Sequence, residues 1–398
     1  MVAADDVLAA GYEGGALLQR LRCQAQVSDD ARSRFLDHVR AHTCNVALVA
    51  SVASPGDTDL QGWIQRANIQ LARKIDAAER AVADAKAAQD SNATRVALLK
   101  LAAVHSDSGD YKAALSKLLE ARDVTTSLAD KMDLALTIVV TSVNGDLWQN
   151  VRPEFAKASA LKGSEQYGHI LAIMKCAVGV TMFRYAQFSD AAATLLSVDE
   201  FPNAPYLFLP VDLVRYAVLA AMASYPRNAL KDQLVNNAKF KPRLGMCRLT
   251  RQALTGFCQS KFADCLRSVD ETLSDLTIFD PNVSSDIAKG LAVRIRESAL
   301  CTYITPYESV SLTRMASAFG QSPSEIQSLL VKLIQKGTVA AKIDAQSQVL
   351  WASTTHQRKA AFAVGRDVAE RFLTTGEALL LRVAQQRHNV IVGQVKSL

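Results

Sequence analysis

The feature that most constrains this chain is a pattern that recurs along its middle. In "SGDYKAALSKLLEARD" the aromatic Tyr111 is followed by Ala114, Leu118 and Ala121: a small residue at +3, an apolar one at +7 and a small one at +10. Those offsets share one face of a helix, and the small residues let a neighbouring helix approach closely. The same start is read at Trp148 (with Val151, Phe155 and Ala158), Phe188 (with Ala191 and Leu195), Tyr225, and Phe262 (with Cys265 and Val269), at steps of 37, 40, 37 and 37 residues. A nearly constant step of this size describes a stack of helical hairpins, each burying its apolar face against the next. The Tyr225 unit departs most from the pattern, because Pro226 and Asn228 stand where helix-start residues are usual. Tyr111, Trp148, Phe188, Tyr225 and Phe262 are read as structural anchors of the repeats, packed in the core and not facing a ligand.

The unit resembles the second helix of a tetratricopeptide repeat, and residues 95–284 are assigned to a helical-repeat solenoid of that kind. Composition agrees: hydrophobic residues make up 49% of the 398, aromatics only 6%, with 18 Gly and 10 Pro, which favours helices over sheets. A solenoid leaves one concave surface free, and holding proteins or peptides is its usual role. Residues 1–94 form a separate N-terminal helical region. In it "ASPGDTDLQG" (53–62) reads as a loop and "WIQRANIQLARKIDAAERAVADAKAAQ" (63–89) as a long charged amphipathic helix. The first 50 residues read as loosely specified helices.

Lys plus Arg exceed Asp plus Glu by 45 to 39. The bases are scattered among acids with no run of five, which reads as a solvated helical surface and not as a nucleic-acid footprint. Seven cysteines, at 23, 44, 176, 247, 258, 265 and 301, sit in apolar helical patterns without a Cys-x-x-Cys pair. They read as reduced, buried thiols. No leader-like start and no window of about 18 apolar residues is present. The expectation is an intracellular protein of cytoplasm and nucleus with no membrane partner.

The C-terminal third is read as a winged helix over 285–354. "DIAKGLAVRIRESALCTYITPY" supplies a helix to about Tyr303, and "SVSLTRMASAFG" supplies a second. A third begins with Ser322 as N-cap, Pro323 at N1 and Glu325 at N3, carries Ile326, Leu329, Leu330, Leu333 and Ile334 on one face, and stops at Gly337. "TVAAKID" and "SQVLWAS" then form a hairpin around Ala345-Gln346. The third helix exposes Glu325, Gln327, Ser328, Lys332, Gln335 and Lys336, and the wing adds only Lys342. That is a poor phosphate clamp. A protein-binding wing is the reading preferred to a DNA-binding one, with Val339, Ile343, Val349 and Trp351 as the subunit contacts. Residues 355–398 carry Phe362, Gly365, Ala369, Phe372, Gly376, Leu379 and Val383 at 3-4 spacing. That seam suits a helical bundle, and Phe362, Ala369, Phe372, Leu379 and Val383 are its contact residues.

Solenoid, winged helix and helical tail in this order resemble the PCI family, the scaffold subunits shared by the proteasome lid, the COP-nine signalosome and a translation initiation factor complex. The stretches "SGDYKAALSKLLEARDVTTS", "IMKCAVGV", "ITPYESVSLTRMASAF" and "LIQKGTVAAKIDAQSQVLWA" are similar to the branch formed by the first signalosome subunit and its counterpart in the proteasome lid. "KCAVGV" and "TPYESVSLTRMA" lean toward the signalosome. The resemblance covers roughly residues 95–395 and leaves 1–60 without a match. It implies a scaffold whose partners are other PCI subunits and the complex's metalloprotease subunit, with cullin-RING ligases reached indirectly. The deneddylating zinc site would lie on that other subunit. A lid subunit of the same architecture is the nearest alternative, and a winged-helix nucleic-acid regulator is the alternative of another class.

The residues themselves offer no reaction. A metalloprotease of that kind needs two His one residue apart, an Asp and a Glu, and no His-x-His occurs. His38 and His42 in "HVRAH" stand at i, i+4 with no Glu between them and no third ligand at useful spacing. There is no Gly-x-x-x-x-Gly-Lys loop and no Gly-x-Ser-x-Gly elbow, and "GYEGG" (11–15) follows no strand. The chain is read as non-enzymatic, without cofactor or metal.

Overall fold

The computed structural model describes residues 11–52, 58–352, 357–388 and 390. It falls into two compact units: residues up to Tyr303 with Ala318–Gly320, and Ile304–Ser317 with the chain from Gln321 onward. Of the loop read at 53–62, residues 53–57 lie outside the described residues and 58–62 are helical, since the helix read from 63 already begins at Thr58. The boundary drawn at 354/355 and the tail from 391 lie outside the described residues.

The first unit is helical. Its elements are α1 (Gly14–Gln24), α2 (Asp29–His42), α3 (Val46–Val52), α4 (Thr58–Ala87), α5 (Ser91–Ser108), α6 (Tyr111–Val124), α7 (Leu128–Asn144), α8 (Val151–Ser159), α9 (Gly168–Arg184), α10 (Phe188–Leu196), α11 (Pro210–Ser224), the single turns α12 (Arg227–Leu230) and α13 (Lys241–Leu244), α14 (Arg248–Cys258), α15 (Phe262–Phe279) and α16 (Ser285–Ile304). Consecutive helices pack as hairpins: α4 on α5, α5 on α6, α9 on α10 and α14 on α15.

Local chemistry sets the turns between them. Asp110 caps α6 by accepting a hydrogen bond from the Ala113 amide at 3.1 Å, an interaction worth about 1 kcal/mol. The preceding Gly109 takes φ +86°, and a Cβ there would lie 2.3 Å from Asn45 Nδ2. Only glycine combines that backbone with that approach.

The repeat offsets are the buried ones. Ala114, Leu118 and Ala121, then Ala191 and Leu195, then Cys265 and Val269 are all inaccessible, as are Trp148, Phe188 and Phe262. Phe188 meets Phe183 edge-on at 5.5 Å and Phe262 meets Phe257 at 5.9 Å, the geometry that aromatic quadrupoles favour. Trp148 opens a short 3-10 turn, and the α-helix begins only at Val151.

Tyr225 does not begin a helix. It is the half-buried residue that ends α11 in extended backbone (ψ 144°), because the residue before a proline is driven out of the helical region. Tyr111 does begin α6, although it is only half-buried.

The second unit runs β1 (Ser309–Ser311), α17 (Leu312–Phe319), α18 (Pro323–Gln335), β2 (Ala341–Asp344), β3 (Val349–Ala352) and α19 (Gln357–Arg387). The strands form one antiparallel sheet in the order β1-β3-β2, with Leu350 opposite Val310 on one side and Ile343 on the other. Residues 309–311 are therefore a strand and not the start of the helix read from "SVSLTRMASAFG". The capping box at Ser322 and Glu325 is formed in both directions, and Gly337 takes φ +72° after the helix. Helix, strand, two helices and a hairpin are a winged-helix order.

Candidate subunit interfaces

The sheet of the second unit has two unlike faces. Val310 and Leu350 are buried, and Ile343 pairs with Leu350 on the same half-buried side. On the other face Trp351 stands between Ser309 and Lys342 and is 55% exposed. A tryptophan on the solvent side of a central strand leaves a large apolar surface without a neighbour. Val349 is half-buried in that central strand, bonded to Ser311 on one side and Asp344 on the other. Val339 is half-buried just before β2. Of the four wing residues singled out from the sequence, Trp351 presents the most apolar surface, and β2 pairs with β3 alone among the described residues.

Helix α19 holds the larger unpartnered surface. Phe362 and Phe372 are each 77% exposed, and Ala369, Leu379 and Val383 are exposed with them. Val368, Leu373 and Leu380 are exposed too, and at about 100° per residue these positions widen the seam to an arc of about 140°. Val364 and Leu381 lie off that arc and are also exposed. An arc this wide exceeds the a/d stripe of a two-stranded coil and suits a helix touched on more than one side.

The first unit contains a polar site that sequence reasoning missed. Arg20 on α1 is buried, with Nη2 at 3.0 Å from Asp212 Oδ2 on α11 and 3.6 Å from Asp280 Oδ1 after α15. Its Nη1 donates to the Phe279 carbonyl at 3.3 Å, and its guanidinium lies 3.9 Å from the Tyr12 ring centroid. The Tyr12 hydroxyl donates to Asp212 and the Tyr216 hydroxyl to Asp280. Arg215 bonds the other Asp212 oxygen at 3.0 Å, so two arginines face two carboxylates. Burial, and then the neighbouring aspartates, push both tyrosine hydroxyls up and keep them as donors. Burial raises the Asp280 carboxyl against the pull of Arg20. The two carboxylates lie 192 and more residues from Arg20, so no local pattern announces them.

Among the described residues no group of three or more His, Cys, Asp or Glu is placed to hold a metal ion. The His38 and His42 ring centroids lie 4.6 Å apart with the planes tilted by 49°, and His38 is held below its ordinary value by burial and by His42. No helix among the described residues is long and apolar enough to cross a membrane. The exposed side of α18 carries Glu325, Lys332 and Lys336, with Lys342 on the wing.

Two family models match. The model for 26S proteasome subunit RPN7 covers residues 61–233, and the PCI domain model covers 266–354. Residues 266–354 are thus similar to a PCI domain. The matched stretch contains α16 and the whole three-stranded sheet, so Trp351 lies within it, and α19 begins just after it.

Among relatives, the COP9 signalosome complex subunit 1b of Drosophila melanogaster is 26% identical over 293 residues, covering 72% of this chain and 55% of the relative. Subunit 1 of the same complex in Arabidopsis thaliana is 27% identical, over 71% of this chain and 66% of the relative. An Arabidopsis thaliana 26S proteasome non-ATPase regulatory subunit 6 homolog is 23% identical over 80% of this chain and 82% of its own length. The chain thus matches between about half and two thirds of the length of the two signalosome subunits named here.

Proposed function

We propose that this chain is a non-catalytic architectural subunit of a signalosome-type PCI complex. Its PCI domain packs against neighbouring PCI subunits, and α19 enters a helical bundle shared with them. The observation that carries the reading is α19, a 31-residue helix whose apolar arc is left exposed by the described residues. Full burial of a Phe, Leu or Val side chain contributes about 1.5–3 kcal/mol, so even a few of these residues give a bundle a substantial driving force. The similarity to signalosome subunits from a fly and a plant supports this complex. In it, removal of the ubiquitin-like modifier NEDD from cullin-RING ligases is the work of the metalloprotease subunit, in cytoplasm and nucleus. The match to the RPN7 model keeps the proteasome lid as the second reading.

Affinity purification of the tagged full-length chain from its own cells, with partner identification and an assay for NEDD removal from cullin, separates the two. Co-purification of PCI and metalloprotease subunits with that activity supports the signalosome. Recovery of proteasomal ATPases and lid subunits moves the chain to the lid. Recovery of neither refutes the scaffold reading.

A further inference from the structure

Residues 233–263 contain six basic residues and not one Asp or Glu. The bases are two to ten residues apart, so no run appears in the sequence, yet α13, α14 and α15 bring several of them to one groove of about 980 Å³. Lys241, Arg251 and Lys261 line it and are exposed, and none has an ion-pair partner among the described residues. Arg267, also on the rim, reaches Asp264 at 3.8 Å, both of them in solvent. The floor is apolar, with the buried Leu244 and Leu254, and Pro242 also lines the groove.

We propose that this groove binds an acidic segment of a partner protein, with carboxylates on Lys241, Arg251 and Lys261 and an apolar side chain seated over Leu244 and Leu254. Charge complementarity decides the sign of the occupant. Unpaired surface cations gain little from one another, and carboxylates arriving together satisfy them while steering association. The floor decides the class. Single-stranded nucleic acid is held by aromatic stacking platforms, and no aromatic side chain lines the groove. Phosphates have no use for a leucine floor, whereas a peptide side chain does. Asp264 and Glu271 lie on α15 itself, which gives the groove a direction: the segment's acidic residues lie toward α13, α14 and the turn at Lys261.

The test uses the full-length chain and fluorescence anisotropy with a labelled twelve-residue peptide, Glu-Glu-Leu-Glu-Glu-Phe written twice. The expected result is saturable binding that weakens as salt is raised. Lys241→Glu with Arg251→Glu should weaken it more than about tenfold, and a peptide with Ser in place of Leu and Phe should bind more weakly. Lys74→Glu with Lys100→Glu, equal in charge and outside the groove, should leave affinity unchanged. Lys241→Gln with Arg251→Gln gives the same readout with a milder substitution, and thermal melting verifies that every variant is folded. Absence of binding overturns the proposal, as does equal loss in the two charge-reversed pairs. Tighter binding of a single-stranded twelve-nucleotide DNA, lost in the same groove variants, overturns the peptide assignment.

Discussion

Phe372→Asp combined with Leu379→Asp separates assembly from folding. In the chain alone these side chains are 77% and 57% exposed, so the substitutions remove almost no internal contact. Surface changes of that kind stay within about 0.5 kcal/mol each, and the melting midpoint of the free chain should move by less than about 2 °C. In a bundle the outcome differs. Losing burial of a Phe and a Leu costs about 4 kcal/mol, and placing two carboxylates in an apolar seam adds at least about 2 kcal/mol more. A total of about 6 kcal/mol corresponds to a dissociation constant raised by about four orders of magnitude. Co-expression with the partner subunits, tagged pull-down and size-exclusion chromatography would show the variant in the free fraction with an unchanged melting curve. Retention in the complex at wild-type stoichiometry would refute the assembly role of α19. A collapsed melting curve would show that α19 supports the chain's own core.

Trp351→Ser should weaken the complex, read as earlier release in a salt or urea titration, and leave the free chain's melting within about 2 °C, because the ring is solvent-facing. Arg20→Leu leaves Asp212 and Asp280 buried without their shared cation and should cost about 3–5 kcal/mol in urea unfolding. Because burial raises the Asp280 carboxyl and Arg20 opposes that rise, the variant's folded state holds a proton that its unfolded state releases. Its stability should therefore fall as pH increases and recover as pH is lowered. Native alkylation with iodoacetamide at pH 8 should spare Cys176 and Cys265, which burial pushes up to about 12, and Cys247, pushed to about 11. All three should label once urea unfolds the chain, as mass spectrometry of the digested protein would show.

The repeats were legible because their chemistry is local. Ala114, Leu118 and Ala121 lie within one helix, and their period survives in the primary structure. Ser322, Glu325 and Gly337 likewise act within a turn or two. Tyr225 was misplaced because the constant step outweighed Pro226, whose steric restriction on the preceding residue ends α11 there. The strand at Ser309–Ser311 was missed because three residues are too few to display alternation. The seam drawn on the tail was narrow, since Val368, Leu373 and Leu380 widen the exposed apolar arc. Searching for runs of like charge overlooked the basic groove, whose bases are dispersed along the chain and gathered only by helix packing. Arg20 gave no sign at all, as its carboxylates belong to α11 and to the turn after α15.

That last arrangement bears on how the protein is made. Arrays of helical hairpins can consolidate one unit at a time as they emerge from the ribosome, since each unit needs only its neighbour. Here the guanidinium of Arg20 has to wait for Asp280. At about 5–20 residues per second, translation of the intervening stretch takes roughly 15–50 s. Throughout that interval the nascent first helix carries an unmatched cation and an apolar face destined for α15, which makes it a natural client for chaperones acting during synthesis.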